Sequence, residues 1–107
     1  MNMIQRKLLT IVAEASLEKR LIKLLTDNGC QGYTVLTGHG SGPKNQRVAD
    51  LEGGNVIIET VLKDEILVPI LHALEQDYFK NYACTVWISQ VEVIRGEKTS
   101  DETIATI

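Results

Sequence analysis

Gly32-Tyr33-Thr34-Val35-Leu36-Thr37, running into Gly38-His39-Gly40-Ser41-Gly42-Pro43-Lys44, is the stretch on which the fold turns. After its leading glycine the first part is β-branched, aromatic or apolar, a composition that suits a pleated strand. The chain then changes character. Gly38, Gly40, Gly42, Pro43, Asn45, Gly53 and Gly54 fall within one span that no regular core element accommodates. A connection of this length is uncommon in a compact domain unless it is functional or disordered. The fold therefore contains a strand that runs into a long loop, Gly38–Gly54, and returns.

Working outward, Asn55–Lys63 (Asn-Val-Ile-Ile-Glu-Thr-Val-Leu-Lys) reads as the returning strand. Upstream, Lys7–Glu14 is a short apolar run typical of a central strand. Ser16–Asn28 shows helical spacing, with Leu17, Leu21, Leu24 and Leu25 on one face and Gly29 as the stop. Downstream, Leu67, Ile70, Leu71, Leu74 and Tyr78 give a second helix within Asp64–Phe79. Pro69 is expected near its start, because an interior proline costs about 3 kcal/mol. Cys84–Ile94 alternates as a fourth strand, Gly96 ends it, and Thr99–Ile107 reads as a tail. The order strand, helix, strand, strand, helix, strand is the ferredoxin-like βαββαβ unit. The fold class is α+β with an antiparallel four-stranded sheet, one domain over residues 1–107, a loop at 38–54 and a tail at 99–107. In the usual arrangement of this fold strands two and four lie at opposite edges, three steps or roughly 14 Å apart. Cys30 and Cys84 flank those strands, so no intrachain disulfide is expected.

Composition narrows the function. A net charge of -3 argues against a general nucleic-acid binder, which needs a basic face. No apolar run approaches the ~20 residues that span a bilayer, and the segment before the first strand does not read as a signal peptide, so a cytoplasmic protein without membrane insertion is expected. His39 and His72 have no metal-ligand spacing to each other or to the cysteines, and no metal site is expected. There is no Gly-x-Ser-x-Gly elbow and no Walker-type phosphate loop, and no catalytic residue is assigned.

The remaining candidates each have two readings. The glycine run at Gly38–Gly42 is either a plain connector or a backbone contact for an anion. Lys44 and Arg47 follow it and suit a phosphate or an acidic partner, or form a solvated loop with Asp50 and Glu52. On strict alternation Glu59 shares a face with Ile57 and Val61, where a carboxylate is costly unless paired. Either that face is wet at a subunit boundary or Glu59 meets a ligand. Phe79-Lys80-Asn81-Tyr82-Ala83 is a turn anchored by its aromatics, or a second anion loop using Lys80 and backbone amides. Arg95, at the end of the last strand, is a surface charge or reaches a neighbour's cleft.

Gly32-Tyr33-Thr34-Val35, the glycine-rich loop, the return strand with Glu59 and the terminal Val93-Ile94-Arg95-Gly96-Glu97 together resemble the PII signalling superfamily, from Lys7 to about Lys98. Tyr78-Phe79-Lys80-Asn81-Tyr82-Ala83 is similar to the Tyr-Phe-x-x-Tyr-Ala turn of the PII-like branch found with bicarbonate transporters and carboxysome gene clusters. The resemblance implies a non-enzymatic homotrimer that binds an adenine nucleotide (AMP, ADP, ATP or cyclic AMP) in each cleft between subunits. It implies a T-loop that engages a target, a membrane transporter or a metabolic enzyme, and it admits bicarbonate as a co-ligand. By that resemblance Thr34, Thr37, Gly38 and Arg47 face the phosphates at the T-loop base. Glu59 lines the adenosine, Lys80, Asn81, Tyr82 and Ala83 form the second loop, and Arg95 is the C-terminal contact. His39, Gly40, Ser41 and Lys44 lie on the partner-facing T-loop.

The departures are specific. Nitrogen-sensing members carry Arg-Gly-Phe-Gly-x-Gln at the loop base, with a glutamine that helps hold magnesium and 2-oxoglutarate. This chain has Thr37-Gly38-His39-Gly40-Ser41-Gly42 and places its glutamine at Gln46, which points away from 2-oxoglutarate. No tyrosine lies between Gly38 and Gly54 to be uridylylated, and Ser41 is the hydroxyl residue of that span. The second loop is shorter than in those members; AMP, ADP or a cyclic nucleotide needs fewer phosphate contacts there than ATP. Two other readings are a CutA-type trimeric metal-tolerance or structural protein of the same subunit fold, and a weak nucleotide hydrolase using His39 and Glu59.

Overall fold

The computed structural model describes residues 1–40 and 54–94. It contains β1 (Met3–Glu14), a single 3-10 turn (Ala15–Leu17), α1 (Glu18–Asp27), β2 (Thr34–Gly38), β3 (Asn55–Leu62), α2 (Asp64–Asp77) and β4 (Cys84–Ile94). The strands form one antiparallel sheet in the order β2-β3-β1-β4, the α+β ferredoxin-like arrangement read from the sequence. β2 and β4 are its edges, and Cys30 and Cys84 are both free thiols.

The helices cover one face of this sheet. Leu9, Ile11 and Ala13 of β1 and Val56, Ile58 and Leu62 of β3 point into the core, against Leu17, Leu21 and Leu25 from the first helical segment and Leu67, Ile70 and Leu74 from α2. The strand alternation decides which residues these are, since successive side chains point to opposite faces. α1 ends in a Schellman motif: Cys30 N–H donates to Leu25 O, Gly29 N–H donates to Thr26 O, and Gly29 has φ +97°. That turn sends the chain toward β2. There the Thr60 hydroxyl donates to Gly32 O at 2.6 Å and seats the approach to the strand.

Element boundaries differ from the sequence reading by a few residues at several ends, and the starts of the elements are the instructive cases. β1 begins at Met3 rather than Lys7, because Met3–Arg6 pair with Ile94–Val91 beyond the helical layer. β2 begins at Thr34 rather than Gly32. The residue preceding α1 is Leu17, and Ser16 caps nothing; its hydroxyl donates to Glu14 Oε1 at 3.1 Å. α2 starts at Asp64, so Pro69 lies inside the helix as its sixth residue. The first four helical N–H groups lack an intrahelical partner in any case. Pro69 thus costs one bond, to the carbonyl of Glu65, on an exposed face where water can satisfy it.

Candidate functional site

The face of the sheet away from the helices carries the site residues in register. Thr34 of β2 pairs with Glu59 of β3, Glu59 with Thr10 of β1, and Thr10 with Trp87 of β4. These four form one row across the open face. The Thr10 hydroxyl, 2 % exposed, donates to Glu59 Oε2 at 2.9 Å. This contact answers the cost of a carboxylate at that position: Glu59 is half-buried and held by a neighbour on its own sheet. Thr10 was not singled out in the sequence, although a threonine inside the apolar run Leu-Leu-Thr-Ile-Val is the signal that would have found it. Around the row the surface is apolar. Leu36 is 52 % exposed and Trp87 50 % exposed.

A second row lies four residues farther along the strands, at ~3.3 Å per residue about 13 Å away. Gly38 pairs with Asn55 and Asn55 with Glu14, whose N–H donates to Ala83 O at 3.0 Å. The base of the long loop and the end of the turn after α2 therefore sit at the same end of the sheet. At the loop base, Gly54 has φ +76°, and a Cβ built there would lie 2.8 Å from Gly38 O. Only glycine permits that approach. The turn after α2 is fixed from two sides. Glu14 Oε2 accepts from Ala83 N–H at 2.8 Å, and the Arg20 guanidinium stacks over the Tyr78 and Tyr82 rings at 5.2 and 5.1 Å while donating to Tyr82 Oη at 3.0 Å. Tyr82 thus anchors the turn, as its aromatic character suggested, whereas Phe79, expected to share that role, is 43 % exposed and buried Tyr78 takes its place; Lys80 and Asn81 at the tip are exposed. Glu14 and Arg20 carry no motif, and their role was invisible in the sequence.

The predicted residues do not all converge within one chain. Thr34, Gly38 and Glu59 share the open face, whereas Thr37 has the opposite parity in β2. Gly38 and Ala83 sit at opposite edges of the sheet, three strand steps or ~14 Å apart. His39 and Gly40 are exposed just beyond β2, away from Glu59, which pairs with the first residue of that strand. Arg47, Ser41, Lys44, Arg95 and the tail at 99–107 lie outside the described residues. An open recess of about 340 Å³ lies toward the other end of β1, lined by Gln5, Arg6, Lys7, Lys63, Asp64, Glu65 and Gln90, and contains none of the predicted residues. Burial, and then the charge of Glu14, push the Cys84 thiol up to about 11. Among the described residues no helix is long and apolar enough to cross a membrane, and no three His, Cys, Asp or Glu side chains are grouped to hold a metal ion.

The family model described as nitrogen regulatory protein P-II matches residues 6–98. This chain belongs to the P-II family. Among solved structures it is similar to one described as a PII-like signaling protein from Thermus thermophilus, with 39 % identity, coverage of 91 % of this chain and 97 % of that one, and a TM-score of 0.76. The same fold occurs in CPII, a nitrogen regulatory PII-like protein from Thiomonas intermedia. Its apo form is 21 % identical over 89 % of this chain and 98 % of that one, with a TM-score of 0.74. A second CPII structure, bound to ADP, AMP and bicarbonate, is 23 % identical over 88 % and 96 %, with a TM-score of 0.71. Within this P-II family chain, the family match favours the PII-like reading over the CutA-type one.

Proposed function

We propose that this P-II family member is a non-enzymatic, cytoplasmic signalling protein that binds an adenine nucleotide between subunits of a homotrimer and acts on a partner through residues 38–54. The observation that carries this reading is the division of the site between the two edges of the sheet. Thr34 and Gly38 lie on β2 at one edge, with Glu59 beside Thr34 on β3, and Lys80–Ala83 lead into β4 at the other. A cleft between copies sets one chain's β2 side against another's β4 side, and so unites the halves that a single chain keeps ~14 Å apart. The open face supports the same assembly. Leu36 and Trp87 are large apolar side chains left half-exposed on a sheet face that the helices do not cover, and such faces mark surfaces that meet another molecule.

In this reading Thr34, Thr37, Gly38 and Arg47 meet the phosphates and Glu59 lies along the adenosine. Lys80–Ala83 form the second loop, and Arg95 reaches in from the last strand. Bicarbonate is a co-ligand, as the contents of the CPII structures suggest. The ligand alters the loop, and the two loop states differ in affinity for a target, a transporter or an enzyme, by a coupling of about 1–3 kcal/mol. Isothermal calorimetry of the purified protein with AMP, ADP, ATP and cyclic AMP tests this directly. Saturable heat with at least one of them is expected at one site per chain; no heat with any at millimolar concentration discards the nucleotide reading.

A further inference from the structure

The Glu14 carboxylate takes up a backbone N–H at the end of the turn after α2. An anion is held in a turn of this kind by backbone N–H groups, and the N–H of Ala83 already donates to Glu14 Oε2 at 2.8 Å. The carboxylate is steadied from its other side by the Ser16 hydroxyl, 3.1 Å from Oε1, and by the main-chain bond from Glu14 N–H to Ala83 O. It is half-buried, and its register places it in the row Gly38–Asn55–Glu14, next to Ala83. Its negative charge reaches the neighbouring Cys84, whose thiol is raised by burial first and by that charge second. The positive counterpart in the turn is Lys80, exposed at the tip.

We propose that Glu14 is a specificity residue of the nucleotide site: its carboxylate holds the Ala83 amide and sets a fixed negative charge beside the second loop, so that the site favours a nucleoside monophosphate over the triphosphate. The proposal rests on the nucleotide reading given above. A short phosphate tail is satisfied by the loop tip and stays clear of Glu14. A triphosphate tail carries more charge along the same loop and meets a like charge at close range, where the local dielectric is well below that of water. The amide that would offset the repulsion is already bonded.

Calorimetry of wild type and Glu14→Gln with AMP and with ATP tests the proposal. Glutamine keeps an oxygen for the Ala83 N–H and removes the charge. The ratio of the ATP to the AMP dissociation constant should fall by at least about tenfold in Glu14→Gln, mainly through tighter ATP binding. A wild type that binds neither nucleotide overturns the nucleotide reading and this proposal with it. A wild type that binds, with the ratio unchanged in the variant, overturns the role of Glu14 alone. Amide NMR of the wild type gives a second readout that needs no variant. At saturating AMP the Lys80 and Asn81 signals should move while Ala83 keeps its position, and an Ala83 signal that moves as far as theirs overturns the proposal.

Discussion

The two faces of the sheet are built from the same strands and end up with opposite chemistry. On the covered face, Leu9, Ile11, Val56 and Ile58 are sealed by leucines and an isoleucine from the two helical segments. On the other, one step along each strand, Thr10 and Glu59 hold each other in a hydrogen bond while Leu36 and Trp87 stand half in water. The chain completes the first face by itself. It leaves the second unfinished, polar at its centre and apolar around it. A surface of that kind is suited to being completed by another molecule.

The sharpest way to break this contrast uses adjacent residues of β3. Ile58→Ala empties a site in the sealed core and should cost about 2–5 kcal/mol, read as a lower denaturant midpoint at every protein concentration. Ile57→Ala, on the open face, should cost less, and if the proposed trimer buries that surface its loss should depend on protein concentration. Equal, concentration-independent losses would mean that the two faces are not different in kind.

A smaller effect probes the polar centre. Thr10→Val keeps the shape and removes the donor to Glu59, which should cost about 1 kcal/mol, the lower part of the range for an unpaired group, since half-buried Glu59 can recover a water. Denaturation of Thr10→Val beside Thr10→Val/Glu59→Gln sharpens the comparison. The double variant should recover part of the loss; if the single variant is neutral, the row is not held by the chain itself.

The smallest effect reports on the end of β4 at the covered face. The Cys84 thiol is raised from 9.0 to about 11, so the folded chain holds its proton more tightly than the unfolded one does. That contribution to stability is intact below pH 9 and lost as the pH rises toward 11. Alkylation of native Cys84 should be slow at pH 8 and should accelerate only as the pH nears 11. Fast modification of the folded protein near neutral pH would show that burial beside Glu14 does not protect the thiol.

Much of this architecture could be read from residue order. Composition and the switch to helical spacing located the four strands and both α-helices, though not the 3-10 turn, and β4 was bounded correctly at both ends because Cys84–Ile94 alternates without interruption. The errors came where long-range pairing or a local bond overrides composition. Polar Gln5 and Arg6 extend β1 only because β4 runs beside them, and Ser16 turns back to Glu14 instead of capping a helix. The site was legible in part for the same reason. Glu59 was conspicuous as a charge in an apolar strand, and the glycines announced a loop base. Its partners Thr10 and Glu14 depend on cross-strand register, which single-chain periodicity does not supply.

The neck formed by Gly38 and Gly54 also fixes how a pull on residues 38–54 enters the domain. The ladder behind it has five pairs, against eight between β1 and β3 and eleven between β1 and β4, and it lies at an edge. Tension applied there loads the weakest seam of the sheet. Drawing Gly38 away from Asn55 would open that seam like a zipper and reach Thr34–Glu59 last.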